Sequence, residues 1–272
     1  MGHLPQDARC CRAALAARRA CGPDAFVLEL AFGQAFAPLA PGRFAMLAAA
    51  DGSGPLIPRP FSVYDQLAPD RLSFLVQVIG PGTRCLAALA IGSELICTLP
   101  LGNGFTVAEP DREVALVAGG VGSAPFLLYA RARARAGGRS HFLYGARSAD
   151  RLYDREAFQT GALRCLDATD DGSLGFRGNV VACLAAELDA GRIGAGALVC
   201  ACGPEPLLHA FAAFARERGL DAQLSLETYM GCGIGVCNGC PTPTAAAGAF
   251  GDWPYAKSCL DGPVFALADV AI

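Results

Sequence analysis

The sequence contains no apolar run of the ~18 residues that a membrane-spanning helix requires, so no helical span is expected. Its opening, "MGHLPQDARCCRAALAARRACG", carries arginines but no apolar h-region and does not read as a secretory signal peptide. An excess of charge is missing too: the formal net charge of −3 gives no general attraction to nucleic acid or to a membrane surface. The arginines between Arg131 and Arg139 lie on an Ala-rich helical stretch and read as a solvated helix face. Internal repeats and long linkers are absent. Without an export signal, the 13 cysteines do not suggest a disulfide framework, and a reducing cytoplasm is the expected compartment. Most of them, such as Cys85, Cys97, Cys165 and Cys183, sit among Ala, Val and Leu and read as buried, inert thiols.

What is present divides into stretches of different period. The 272 residues, 53% of them hydrophobic, suggest two compact domains or one with an appendage, at ~150 residues per domain. From about residue 10 to 105 the chain reads as short strands broken by Gly and Pro: "FVLEL", "RFAMLAA", "FSVYD", "RLSFLVQVIG" and "SELICTLPLG". A single short helical run, "TRCLAALA" from Thr83, interrupts them, and the even spacing suggests an antiparallel barrel. The N-terminus shows no clean first strand.

Near Asp111 the pattern becomes strand–helix alternation. "EVALVAGG", "SHFLYGAR", "LRCLDATDDG" and "ALVCACG" read as strands. "SAPFLLYARARARAGG", "LYDREAFQTG", "VVACLAAELDAG" and "PEPLLHAFAAFARERG" read as helices between and after them. That alternation predicts a mainly parallel, doubly wound α/β sheet. From about Gln223 onward the chain is rich in Gly, Pro and Cys with little periodicity, as in a small domain organised by something other than an apolar core. The expected division is a β-barrel over 1–108, an α/β domain over 109–222 and a small C-terminal domain over 223–272.

Four cysteines of that last segment stand apart. Cys232, Cys237, Cys240 and Cys259 follow the spacing C-x4-C-x2-C, eighteen residues, C, which is that of a plant-type [2Fe–2S] site. Four thiolates must converge on two irons, so the loop has to fold tightly round the cluster. Gly231, Gly233, Gly235 and Gly239 allow the backbone geometry and close approach this needs. The alternative is a structural zinc ion on four thiolates, but such sites favour two C-x2-C pairs and only one is present.

Two further stretches fit a flavin. "RPFSVYD" places Arg59 three residues before Ser62 where a strand leaves a Pro-rich loop, a pairing that can meet a pyrophosphate and a ring edge. Taken alone it is weak, and an ordinary strand start is the better account of it. "IGPGTRCLAALA" places Gly82 and Thr83 at a helix N-terminus, where free N–H groups and the helix dipole favour an anion. For a dinucleotide, Gly119, Gly120 and Gly122 lie between a buried strand and a helix. Ala124 and Pro125 replace the end of a full G-x-G-x-x-G, so as a Rossmann fingerprint it is imperfect. "CACGPEPLL" supplies a second strand–turn–helix whose loop falls at the same edge of the sheet. There Gly203 and Pro204 shape the turn, and Cys202 is either a site residue or a buried thiol.

RPxS, GxGT, GGxGxxP and CGPxP in that order resemble the ferredoxin–NADP reductase superfamily, a flavin barrel followed by a pyridine-nucleotide domain. "TDDGSLGFRGNV" from Thr169, "LETYMGCGIGVCNGC" and "SCLDGPVF" (258–265) closely resemble the electron-transfer subunits of dihydroorotate dehydrogenase B (the PyrK family). The resemblance runs from about residue 10 to the end, and the tail motif is its most specific part. It implies FAD contacts from Arg59, Pro60, Phe61 and Ser62, with Ser62 near the isoalloxazine and Arg59 near the phosphates. Leu75, Val76 and Gln77 would line the same cofactor, and Gly82 and Thr83 would bind its pyrophosphate. Gly119, Gly120, Gly122, Cys202, Gly203 and Pro204 would receive NAD(H), and the four cysteines would ligate the cluster. Glu227 matches a family position without an evident role. The 240–259 loop is long and Ala-rich for the family.

The resemblance also implies a separate FMN-containing catalytic subunit, in a heterotetramer with two of each chain. Dihydroorotate would be oxidised on that partner, with electrons passing through the cluster and FAD to NAD+ in pyrimidine biosynthesis. Nothing in this sequence looks like a dihydroorotate site. Two other readings stand beside this one: a subunit of a related NAD(P)H:ferredoxin or sulfide oxidoreductase, and a redox-sensing scaffold that keeps the cofactors without turnover.

Overall fold

The computed structural model describes residues 3–159 and 162–272. The first part of the chain forms β1 (Arg9–Gly22), β2 (Ala25–Phe32), β3 (Phe44–Ala49), β4 (Arg59–Ser62), β5 (Asp65–Ala68), β6 (Arg71–Gln77) and β7 (Glu94–Leu101), with α1 (Pro81–Ala88) between the last two. These strands make one antiparallel sheet in the order β4-β3-β7-β1-β2-β6-β5, and β4 comes back against β6, so the sheet curls round a core. Alternation decides which side chains enter that core. On β3, Ala45 and Leu47 point inward with Leu15, Leu28, Phe74 and Leu95. Phe44 and Met46, one step out of phase, point outward and are nevertheless buried.

β1 is a long strand of 14 residues where the sequence shows no clean one. Its Ala- and Arg-rich composition carries no strand signal, and register shifts between Leu15 and Ala17 and between Ala20 and Gly22 break its alternation. Pairing with β2 along one side and β7 along the other imposes the extended form. The run expected as one strand, "FSVYD", is divided between β4 and β5.

The second sheet contains β8 (Val114–Gly119), β9 (Ser140–Ala146), β10 (Leu163–Thr169), β11 (Phe176–Arg177), β12 (Leu198–Cys202) and β13 (Asp221–Ser225). With them come α2 (Ala124–Arg135), α3 (Val180–Asp189) and α4 (Glu205–Glu217). The strand order is β11-β10-β9-β8-β12-β13, all parallel, so β8 and β12 flank the point where the winding reverses. Both faces are covered, which is why β8 and β12 are uninterruptedly buried. α3 and α4 pack on one face. On the other, α2 joins barrel residues Val27, Tyr64, Leu75 and Phe105 in one core with Phe126, Phe142 and Phe158. The expected helix "LYDREAFQTG" is not formed. One short 3-10 turn, Arg155–Phe158, stands in its place, and the expectation's last two residues, 160 and 161, lie outside the described residues.

The C-terminal segment adds β14 (Pro241–Pro243) paired with β15 (Tyr255–Lys257), and β16 (Val264–Ala266). β16 adds antiparallel to β13, so the cysteine-bearing segment closes the edge of the parallel sheet.

The helix fails at Asp154, whose φ is +51°. Its buried carboxylate accepts two hydrogen bonds from Arg19 of β1 (2.7 and 2.8 Å) and one from the Tyr64 hydroxyl (2.8 Å), joining barrel to nucleotide sheet. Burial raises its pKa, but the Arg19 and Tyr64 hydrogen bonds outweigh that and leave it below the ordinary value. A depressed carboxylate stabilises the fold above its unfolded pKa, and that contribution is lost as pH falls through the folded value. Asp154→Asn keeps the shape and tolerates the positive φ but removes the charge. It should cost about 1.5–3 kcal/mol at pH 7, and the difference from the wild type should shrink below about pH 4, measured as thermal unfolding across pH.

Candidate iron–sulfur, flavin and nucleotide sites

The cysteine loop turns on three residues with positive φ: Gly233 (71°), Gly235 (81°) and Asn238 (54°). A side chain at Gly233 would begin 2.5 Å from Met46 Cγ, and one at Gly235 would begin 2.2 Å from Leu260 Cδ1. Cβ atoms at Gly231 and at Gly239 would each lie 3.3 Å from Cys237 Sγ, so bare backbone surrounds that sulfur. Such a cradle suits a group held close to the chain. Cys240 and Cys259 are buried, Cys232 is partly covered and Cys237 is exposed.

The thiols meet as two pairs. Cys240 Sγ and Cys259 Sγ lie 3.2 Å apart, while the Cys237 N–H donates to Cys232 Sγ at 3.4 Å. Among the described residues no three His, Cys, Asp or Glu side chains gather as a single-ion site. Two thiol pairs in a glycine cradle fit a dinuclear group better than one tetrahedral ion. Burial alone would raise Cys232, but N–H groups of Cys237, Ile234 and Val236 and the Cys237 thiol bring it down to about 7. Cys240 is brought down to about 6 by the hydrogen bond with Cys259 and, further, by Lys257, against its own burial; Cys259, retaining the shared proton, is pushed up. Lys257, the chain's only lysine, donates to Gly235 O at 2.9 Å and so holds the loop while setting a positive charge beside the sulfurs.

A residue that the sequence did not single out fixes this loop to the barrel. Asn103, just past β7, donates from Nδ2 to Asp261 O (2.9 Å) and Val264 O (2.7 Å), and its Oδ1 accepts from Val264 N (3.0 Å). Its own N–H donates to Gly262 O (2.7 Å). The signal was only a lone Asn between two glycines, which reads as a turn.

On the barrel, Arg59 lies across the start of α1: a Cβ at Gly82 would fall 3.1 Å from Arg59 Cγ. Arg59 Nη1 donates to Ile57 O at 2.6 Å. The Thr83 hydroxyl is occupied by its own turn, accepting from Ile79 N (3.0 Å) and Gly80 N (3.1 Å) and donating to Gly80 O. What α1 leaves for an anion is therefore backbone N–H at Gly82 and Thr83 beside the Arg59 guanidinium. Leu56, Ile57 and Ile79 stand exposed around this corner. Pro60, Phe61 and Ser62 are half-covered along β4. Leu75 and Val76 bury their side chains in the cores and present backbone only. Gln77 donates to Asp24 Oδ2 (3.0 Å) and the Tyr153 hydroxyl (2.9 Å).

At the C-terminal edge of the parallel sheet the two glycine turns touch. A Cβ at Gly122 would fall 2.5 Å from both Cys202 O and Gly203 Cα, and one at Gly119 would fall 3.1 Å from Pro204 Cδ. Gly119 and Gly122 thus pack against Cys202, Gly203 and Pro204, with Gly120 beside them at a φ of 53°. Burial first, and then the nearby Glu227 charge, pushes the Cys202 thiol up, so it stays protonated. Glu227, past the end of β13, is exposed, yet desolvation by the protein around it raises its carboxyl pKa.

Residues 227–271 match the iron–sulfur cluster binding domain of dihydroorotate dehydrogenase B, and residues 116–213 match the oxidoreductase NAD-binding domain. Among curated proteins, the electron transfer subunit of NAD+-linked dihydroorotate dehydrogenase B from Bacillus velezensis is 35% identical over 85% of this chain and 87% of its own. That of Caldanaerobacter subterraneus subsp. tengcongensis is 36% identical over 83% and 84%. The chain belongs to this family. Among solved structures, an NADH-dependent reduced ferredoxin–NADP oxidoreductase involved in flavin-based electron bifurcation superposes with a TM-score of 0.79 at 26% identity, over 95% of this chain and 89% of that one. The ferredoxin reductase of carbazole 1,9a-dioxygenase superposes at 0.69 and 21% identity, over 78% and 67%, and shares the fold. No helix among the described residues is long and apolar enough to cross a membrane.

Gly235→Ala places a methyl inside Leu260 at a positive φ. Iron and acid-labile sulfide per chain should fall to a small fraction of the wild-type value while flavin content is kept, by chemical analysis of anaerobically purified protein.

Proposed function

We propose that this chain is the electron-transfer subunit of an NAD+-linked dihydroorotate dehydrogenase, carrying FAD and a [2Fe–2S] cluster. It takes electrons from the FMN of a separate catalytic subunit and delivers them to NAD+ in pyrimidine biosynthesis. The observation that carries this reading is the pairing of four thiols in a glycine cradle on the outer face of a flavin-type barrel, in a chain of this family. When bound, the flavin exchanges two electrons with a nicotinamide and single electrons with the cluster.

The chain's own residues hold and orient these groups. Cys232, Cys237, Cys240 and Cys259 would ligate the cluster, the first two as one pair and the last two as the other, and loop N–H groups beside the sulfurs would tune its potential. Arg59 and the N–H groups of Gly82 and Thr83 hold the FAD pyrophosphate. Pro60, Phe61 and Ser62 lie along the ring, and Leu75, Val76 and Gln77 meet the cofactor from β6. Gly119, Gly120 and Gly122 face the NAD pyrophosphate, with Cys202, Gly203 and Pro204 across the crevice. Working boundaries near 108/109 and 222/223 suit this division: antiparallel pairing stops at Leu101 and parallel pairing starts at Val114. β13 runs across the second boundary.

The partner's dihydroorotate site is not among these residues. Tyr229 and Val236, 95% and 76% exposed beside the cysteine loop, offer apolar surface to the catalytic subunit. A complex of two chains of each kind in the cytoplasm fits the reading. Relatives of the ferredoxin-linked type share the fold at 26% identity, below the 35% of the Bacillus velezensis subunit.

The test is anaerobic: dihydroorotate and NAD+ are supplied to the same organism's FMN-type dihydroorotate dehydrogenase, with and without this chain. NADH should form only when both proteins are present. Two fully loaded proteins that make no NADH together would contradict the assignment.

A further inference from the structure

β3 and β4 pair in antiparallel register, Met46 opposite Pro60 and Phe44 opposite Ser62. Residues directly opposite share a face of the sheet. Pro60 and Ser62 therefore stand on the outward face that also carries Met46 and Phe44, while Ala45 and Leu47 turn into the barrel core. That outward face is where the cysteine loop sits. Met46, 1% exposed, and Phe44, 2% exposed, pack with Leu101 against Cys240 and Cys259. Met46 Sδ would lie 2.9 Å from a Cβ at Gly233, so it presses directly on the loop backbone. The ring-edge residues thus stand on the strand next to the one that supports the cysteine loop, with Met46 and Phe44 on the shared outward face between them.

We propose that Met46, backed by Phe44, is the dry partition between cluster and flavin, and that its bulk sets both the cluster's potential and the rate at which electrons cross. This rests on the assignment above of cysteines to cluster and β4 to flavin. Each crossing moves one electron and no atom: one group is oxidised by one electron as the other is reduced, and two crossings match one hydride exchanged with the nicotinamide. A flexible thioether fills the irregular space under a Gly-rich loop. Apolar cover over Cys240 and Cys259 keeps water off their sulfurs, and solvent and hydrogen bonds at sulfur are among the factors that set such potentials.

The test uses the full chain loaded with both groups, without its catalytic partner, under anaerobic conditions. Stopped-flow absorbance with NADH reads flavin reduction and cluster reduction as separate steps. Redox titration and electron paramagnetic resonance of the dithionite-reduced protein read the cluster itself. Met46→Ala should raise the cluster midpoint potential, alter its resonance and slow the second step about tenfold. Met46→Leu, which keeps the volume, should restore all three towards wild type. If Met46→Ala fails to hold the cluster, Met46→Gln brings a polar head to the same place and should raise the potential likewise. Loaded Ala or Gln variants with wild-type potential, resonance and second-step rate would overturn the proposal. A wild-type chain whose flavin is reduced by NADH while its cluster stays oxidised would sink the functional reading as well, and is recognised without any variant.

Discussion

The side chain of Asn103 hydrogen-bonds only to the backbone of another part of the chain, the segment that follows Cys259. That segment needs it. The cysteine loop contains too many glycines and too few apolar side chains to form a core of its own, and ordering flexible backbone costs about 1–2 kcal/mol per residue. Three things hold it from outside: the Asn103 hydrogen bonds, the β13–β16 pairing, and the packing of Leu260, Cys240 and Cys259 on Phe44, Met46 and Leu101. The cofactor-bearing loop therefore takes its position from the barrel and from the nucleotide sheet together, which makes it a fixed part of the framework.

This arrangement explains why a reductase barrel, a dinucleotide sheet and a cysteine loop occur in one chain in this order. The barrel sits in the middle of the electron route. One corner of it, Arg59 with the start of α1, is the seat proposed for the FAD pyrophosphate; β4 continues from that corner; and the outer face of β3 supports the thiols. The nucleotide sheet shares its aromatic core with the barrel through Tyr64, Phe105, Phe126 and Phe142. Asp154 reinforces the same junction with charge, through Arg19 and Tyr64. An exposed side of the loop, at Val236 and Tyr229, is the surface proposed for the catalytic subunit.

Much of this was legible in the residues themselves. The cysteine spacing, the glycine turns after β8 and β12, and the alternation of strands and helices from Asp111 onward are local signals, and the local structure follows them. What escaped depends on contacts distant in sequence. β1 is extended because it is paired along both edges, against a composition that favours a helix. The stretch after Leu152 has helical composition, but Asp154 adopts a left-handed conformation to receive Arg19 and Tyr64. β16 and β13 are separated by the whole cysteine segment, so nothing local announces that they pair. Met46 and Asn103 are ordinary residues whose importance lies in what a loop far along the chain does with them. Thr83 illustrates the opposite case: it is where the motif predicts, yet its hydroxyl serves its own turn and leaves the backbone to meet a ligand.

In the proposed site a two-iron group lies between the two thiol pairs and rests on the outer face of β3. Diffraction from crystals of the anaerobically purified chain, with anomalous data collected across the iron edge, tests it directly. Two resolved iron peaks are expected, one between Cys232 and Cys237 and one between Cys240 and Cys259, with Met46 packed beneath them. A single metal peak bound tetrahedrally by all four sulfurs, or an iron pair away from β3, would contradict it.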